Sequence, residues 1–262
     1  MTYLQKLRET TPLIHNLTNE VVMNFTANGL YAIGAAPVMS KSIDEVSDMA
    51  SISSGVLLNI GTISSTDVEA MLLAGKAANK KGIPVVLDPV GAGATPFRLE
   101  TCHRLLDELN ITAIRGNASE IAALIGENQW QSRGVDSAGD GDVVKLAQKA
   151  ATSLTCLIAL TGETDVIANQ NETVVCLNGT PLLGSITGTG CLLSSILTAF
   201  LSLEGPNVQK VVEAISVYTI ASEIAVEHPH VEGPGTLHPY FLDALYTITP
   251  EEVRKRQKVE TR

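Results

Sequence analysis

The chain is short of positive charge, of paired cysteines and of long apolar runs, and each shortage removes a class of function. Eighteen Lys and Arg stand against 28 Asp and Glu in 262 residues, a net charge of −10 with a pI near 5.0. No overall basic field is on offer to a polyphosphate, so DNA and RNA are disfavoured as partners and small molecules are expected instead. Cys102, Cys156, Cys176 and Cys191 make no C-x-x-C pair for zinc and are too sparse for a disulfide scaffold. Lys6, Arg8 and Glu9 break up the N-terminal residues, so no secretory signal is expected. No segment approaches the ~18 uninterrupted apolar residues of a membrane span. The cytoplasm is therefore the expected compartment. Proline-rich and glycine-serine linkers are also missing, as are internal repeats, and residues 1–262 are expected to form one domain.

What is present is enough apolar material for a sizeable core, 45% of residues against 18% charged. Short β-rich runs alternate with amphipathic segments, the order that a parallel sheet requires. Gly55 to Gly61, Ile83 to Val90, Ile111 to Gly116 and Thr155 to Gly162 are nearly continuous in apolar residues, as strands covered on both faces are. Ser64 to Lys81 is predicted helical, with Ser65 as N-cap, Ala70, Leu73, Ala74 and Ala77 on one face and Gly82 as the stop. Pro96 to Leu109 and Asp142 to Ser153 make further crossovers. Asp165 to Ala168 and Thr173 to Leu177 flank Asn169-Gln170-Asn171 as a hairpin, and Pro181 to Ile186 is expected to add another strand. Helices follow over Gly190 to Leu203 and Val208 to Glu227, with shorter ones from Thr236 and Glu251. The fold class is thus α/β, a mostly parallel sheet with antiparallel edge strands and helices on both faces. Ser132 to Asp142, rich in Gly, Ser and Asp, is expected to be the most mobile loop.

In open α/β sheets ligands collect beyond the carboxyl ends of the strands, so the strand endings carry the functional reading. One strand ends in Asp88-Pro89-Val90-Gly91-Ala92-Gly93. That is a turn initiator on the bland view, and on the functional view an acid followed by glycines that admit a ligand. Another ends in Arg115-Gly116-Asn117-Ala118-Ser119-Glu120, where Asn117 and Glu120 make a capping box and need do nothing more. Arg115, closing a buried strand, calls for an anionic partner such as phosphate. Thr161-Gly162 suits either a phosphate oxygen or the opening of the hairpin. Thr187-Gly188-Thr189-Gly190-Cys191 stands at the mouth of an apolar helix, where free N–H groups and the helix dipole form an anion cradle. It is neither a P-loop nor a dinucleotide-binding fingerprint. Cys191 in that first turn is expected either to have its thiol pKa lowered by the dipole or to pack as an ordinary buried thiol. His228-Pro229-His230 with Glu232 suggests a metal site, but a surface loop is the expected reading.

Together with Asn16-Leu17-Thr18-Asn19-Glu20-Val21-Val22 and Ala36-Pro37-Val38-Met39, these motifs agree in order and spacing along nearly the whole chain with one family. The chain resembles the hydroxyethylthiazole kinases, the thiamine-salvage branch of the ribokinase-like fold. The resemblance implies a three-layer sandwich and phosphorylation of the alcohol of 4-methyl-5-(2-hydroxyethyl)thiazole by ATP with Mg²⁺. It places Arg115, Thr161 and Asn117 around the nucleotide, Asp88 and Glu120 on the metal, and Asn19, Met39 and the backbone of Gly188 on the thiazole. It also implies a homotrimer with the thiazole site at the subunit interface. Gly188, Gly190 and Cys191 would form the catalytic cradle, with Cys191 where most ribokinase-like enzymes carry an aspartate base. The alternatives are a kinase of another small alcohol, such as a hydroxymethylpyrimidine, and a catalytically silent protein that binds a ligand.

Overall fold

The computed structural model describes residues 1–127 and 140–262, with backbone alone at 140–142. Among the described residues nine strands form one sheet in the order β2-β1-β3-β4-β5-β6-β7-β8-β9. β1 (Leu13–Leu17), β2 (Ala36–Val38), β3 (Gly55–Asn59), β4 (Val85–Asp88), β5 (Ala113–Gly116) and β6 (Leu157–Leu160) run parallel. β7 (Asp165–Ala168), β8 (Thr173–Cys176) and β9 (Val259–Thr261) continue antiparallel. The expected hairpin is present, and β9 extends it by a strand that the sequence did not announce.

Period-two alternation sorts the strand side chains into two cores. Ile14, Leu57, Val86 and Ala113 join α1 (Tyr3–Thr10), α2 (Met23–Ile33), α8 (Thr189–Leu201), α9 (Asn207–Val226) and α10 (Pro234–Thr247) on one face. Val56, Leu58, Val85, Leu87 and Ile114 join α3 (Val46–Ile52), α4 (Ser65–Lys81), α5 (Pro96–Glu108), α6 (Ala118–Leu124) and α7 (Asp140–Leu154) on the other. This is the expected three-layer arrangement; α11 (Pro250–Arg256) precedes β9. The chain leaves β1 for β2 on one side and returns to β3 on the other, so the strand order reverses between β1 and β3. At such a switch point the flanking loops part and open a crevice.

Several local expectations are corrected. Pro181–Ser185 is a 3₁₀ turn rather than a strand, started by proline with its fixed φ and capped by Thr180, whose side chain accepts from the Leu182 N–H. The N-cap of α4 is Ser64, whose side chain exchanges hydrogen bonds with Asp67, and not Ser65. Its buried face is Val68, Met71, Leu72 and Gly75 together with Ala70 and Ala74, while Leu73 is exposed. The strands are also shorter than expected: β3 stops at Asn59 and β4 starts after Pro84. The Ser132 to Asp142 expectation lies, up to residue 139, outside the described residues.

Helix α8 is the central element of its layer. It packs on α2 at Gly29, where an added Cβ would lie 2.3 Å from Cδ1 of the fully buried Leu192. Gly29→Ala is therefore expected to destabilise the protein by about 1–3 kcal/mol through overpacking. Chemical denaturation checks this, with a fall in midpoint at unchanged m-value as the expected result.

Candidate active site

The site is built where β3, β4, β5 and β6 end and α8 begins. Asp88, the last residue of β4, is fully buried. Its Oδ2 accepts from Asn59 Nδ2 at 2.7 Å and from the Ser194 hydroxyl at 2.8 Å. Its Oδ1 is buried and accepts no hydrogen bond among the described residues, and Arg115 Nη1 lies 3.9 Å away. Burial pushes the Asp88 carboxyl up to about 6, opposed by the Arg115 charge and reinforced by that of Glu120.

Arg115 leaves β5 toward the same point. Its Nη2 donates to Thr161 Oγ1 at 2.6 Å, and its guanidinium lies so close to Gly190 that a Cβ there would sit 2.4 Å from Nη1. A side chain at position 190 would therefore push the cation away from the helix mouth. Gly188 is the N-cap of α8, with φ of +91° and no side chain capping the helix. A Cβ at that position would meet Val22 at 2.5 Å. The first-turn N–H groups thus remain uncapped by a side chain, with the Arg115 guanidinium against Gly190, an arrangement suited to an anion.

The capping box of α6 is also present. Asn117 Oδ1 accepts from the Glu120 N–H, and Glu120 Oε2 accepts from the Asn117 N–H, each at 2.9 Å. The other oxygen of Glu120 accepts from Gly91 N–H at 2.8 Å, so the carboxylate joins the β4–α5 loop to α6. The oxygen of Asn117 is committed to the helix, as the capping reading requires.

Cys191 departs from the dipole expectation. Burial first and the Asp88 charge second push its thiol up to about 11, outweighing hydrogen bonds from Asn59 and Asn19 and the Arg115 charge. Asn19, just past β1, donates to Asn59 Oδ1 at 2.9 Å and to Cys191 Sγ at 3.4 Å. The structure thus brings together Asp88, Arg115, Thr161, Gly188, Gly190, Cys191 and Asn19. Met39 is half-buried at the end of β2, with β1 and β3 between it and β4. His228 and His230 are 5.4 Å apart ring to ring, but among the described residues no group of three or more His, Cys, Asp or Glu forms a metal cluster.

Residues 4–251 match the hydroxyethylthiazole kinase family. A hydroxyethylthiazole kinase protein from Pyrococcus horikoshii OT3 is 37% identical, with a TM-score of 0.90 over 99% of this chain and 97% of that one. The chain belongs to the hydroxyethylthiazole kinase family. More distant matches share the fold: a ribokinase-like superfamily protein from Enterococcus faecalis V583 (12% identity, TM-score 0.64, 89% of this chain and 86% of that one) and Bacillus subtilis pyridoxal kinase in an ADP complex (17%, 0.60, 81% and 92%). As a member of the family the protein is a kinase with ATP as co-substrate. No described helix is long and apolar enough to cross a membrane.

Within this kinase site several residues had escaped sequence reasoning. Asn59 ends an apolar strand just as Asp88 does, but the apolar Ile60 that follows hides its polar tip in the sequence. Ser194 is one of several small hydroxyl residues in α8, with Ser195 and Thr198, and nothing local marks it out. Arg98 reads as a surface charge, yet its guanidinium donates to the carbonyls of Ile60, Val90 and Gly61 and ties the β3 and β4 loops together.

Asp165 is the fourth. It is buried at the start of β7 and accepts from the Gly162 N–H at 3.1 Å. Burial pushes its carboxyl up to about 7, above the ordinary aspartate value near 3.8. Between those values the native state holds a proton that the unfolded chain has released, so raising the pH through this window costs stability. Asp165→Asn removes that dependence and keeps an oxygen for Gly162. Thermal melts from pH 4.5 to 8 should show the wild type losing stability relative to the variant as pH rises; parallel curves would contradict the assignment.

Proposed function

We propose that this kinase transfers the γ-phosphoryl group of ATP to the primary alcohol of 4-methyl-5-(2-hydroxyethyl)thiazole, in thiamine salvage. The observation that carries the reading is the convergence of Asp88, Arg115 and Thr161 on the uncapped N-terminus of α8 in a chain of this family. In this reading Arg115, Thr161 and Asn117 hold the nucleotide. Arg115 and the N–H groups from Gly188 to Cys191 stabilise charge developing on the transferred group. Asn19, Met39 and the Gly188 backbone hold the thiazole.

Asp88 and Glu120 suit Mg²⁺. Two hard carboxylates with one buried oxygen unpaired fit an ion that normally takes one or two protein carboxylates and leaves its other positions to water and phosphate. When bound there, the ion would neutralise phosphate charge. A homotrimer with the thiazole site at the subunit interface and a cytoplasmic location belong to the same reading, supported by the resemblance. A single kinase domain over residues 1–262 belongs to the same reading.

Cys191, with its thiol near 11, is a proton-bearing hydrogen-bond partner at neutral pH rather than a thiolate base. A loose phosphoryl-transfer transition state leaves little for a strong base to do, and positioning carries the rate. The reading is tested by ADP release with ATP and Mg²⁺, with and without the thiazole and beside a hydroxymethylpyrimidine. Thiazole-dependent turnover is expected. Turnover with the pyrimidine alone would replace the substrate, and ATP binding without turnover would mean a silent binder.

Cys191→Ala should retain activity, with kcat lowered by roughly tenfold or less, since general bases contribute about 10²–10⁴. Loss beyond 10²-fold in a folded variant would restore Cys191 as the base.

A further inference from the structure

Two groups of fixed polarity determine how the Asn59 amide is turned. The Asp88 carboxylate, when ionised, only accepts, so the atom 2.7 Å from its Oδ2 must be the NH₂ of Asn59. The backbone N–H of Gly61 only donates, and it lies 3.0 Å from the other end, which must be Oδ1. Both requirements agree. Asn59 Oδ1 also faces Asn19 at 2.9 Å, so Asn19 must present its own NH₂ there. The second Asn19 amide hydrogen points to Cys191 Sγ, a weak acceptor. With both hydrogens engaged, only Oδ1 of Asn19 is available to a ligand, and it has no hydrogen-bond partner among the described residues.

Asn19 and Asn59 are both nearly fully buried, and they face each other across the β1/β3 switch point. Gly61 keeps the arrangement open, because a Cβ there would lie 2.6 Å from Asn19 Nδ2.

We propose that Asn59 is a positioning residue that transmits the polarity of Asp88 to Asn19, so that Asn19 meets the substrate as a hydrogen-bond acceptor. Resting on the thiazole reading above, this names the group recognised. A neutral hydroxyethylthiazole has a single hydrogen-bond donor, its hydroxyl, since the ring nitrogen and sulfur carry no hydrogen. Asn19 Oδ1 therefore takes the alcohol O–H. That turns the oxygen's lone pairs away from Asn19. It also selects for alcohols over isosteres that lack the proton, because a buried acceptor left unpaired is costly.

The test uses full-length protein with Asn side chains labelled with ¹⁵N, and calorimetric binding of hydroxyethylthiazole beside its chloroethyl analogue, which has no O–H. In the wild type the Asn19 amide hydrogens should exchange slowly, and the alcohol should bind roughly tenfold tighter than the chloride, the worth of one hydrogen bond. Asn59→Ala should speed Asn19 exchange and abolish the preference. Should Asn59→Ala fail to fold, Gly61→Ala displaces Asn19 directly and is expected to abolish the same preference.

Unchanged Asn19 exchange in a folded Asn59→Ala protein would overturn the proposal, as would a preference for the alcohol that survives Gly61→Ala. A wild type that binds neither thiazole would defeat the substrate reading, while the exchange measurement would still decide the role of Asn59.

Discussion

The site depends on a single buried carboxylate. Removing a charge from water costs several kcal/mol even after relaxation, so Asp88 can sit at the tip of β4 only because its surroundings answer it. Two neutral donors hold one oxygen, and the Arg115 cation faces the other from 3.9 Å. Each of these partners has a second task. Ser194 is on α8, so satisfying Asp88 also draws the mouth of that helix onto the sheet. Arg115 reaches Thr161 and covers Gly190, so the same cation that balances Asp88 also lines the anion cradle. Asn59 carries the demand outward to Asn19.

Topology explains why these residues meet. Parallel strands bring their carboxyl ends to one edge, and the reversal between β1 and β3 opens that edge. Asn19 and Asn59 occupy the two lips of the opening. Arg98 then fastens the β3 and β4 loops to each other through three carbonyls. A site built this way has its polar groups oriented before any ligand arrives, which is what a reaction governed by positioning requires.

Much of this was legible in the residues. The parallel sheet followed from continuous apolar runs separated by amphipathic segments, and the capping box at Asn117 and Glu120 from a spacing of three. Asp88, Arg115 and Gly188 to Cys191 were legible as chemistry because each interrupts or ends an apolar pattern where a polar group needs a reason. The strand β1 was not, because His15 and Asn16 break its apolar run. The role proposed for Asn19 rests on the family resemblance, since nothing in its local pattern distinguishes it from a loop residue.

The sequence by itself determined the features governed by neighbours within a few positions: strand, helix, cap and the glycines at the mouth of α8. Tertiary structure alone decided which polar groups share a charge. Ser194 meets Asp88 across 106 positions, and Asn19 meets Cys191 across 172. The Cys191 thiol shows the difference most directly. Its place in a helix's first turn argues for a lowered pKa, yet the fold buries it beside Asp88 and pushes it up to about 11. Desolvation and a neighbouring anion act through space, and no local pattern records them.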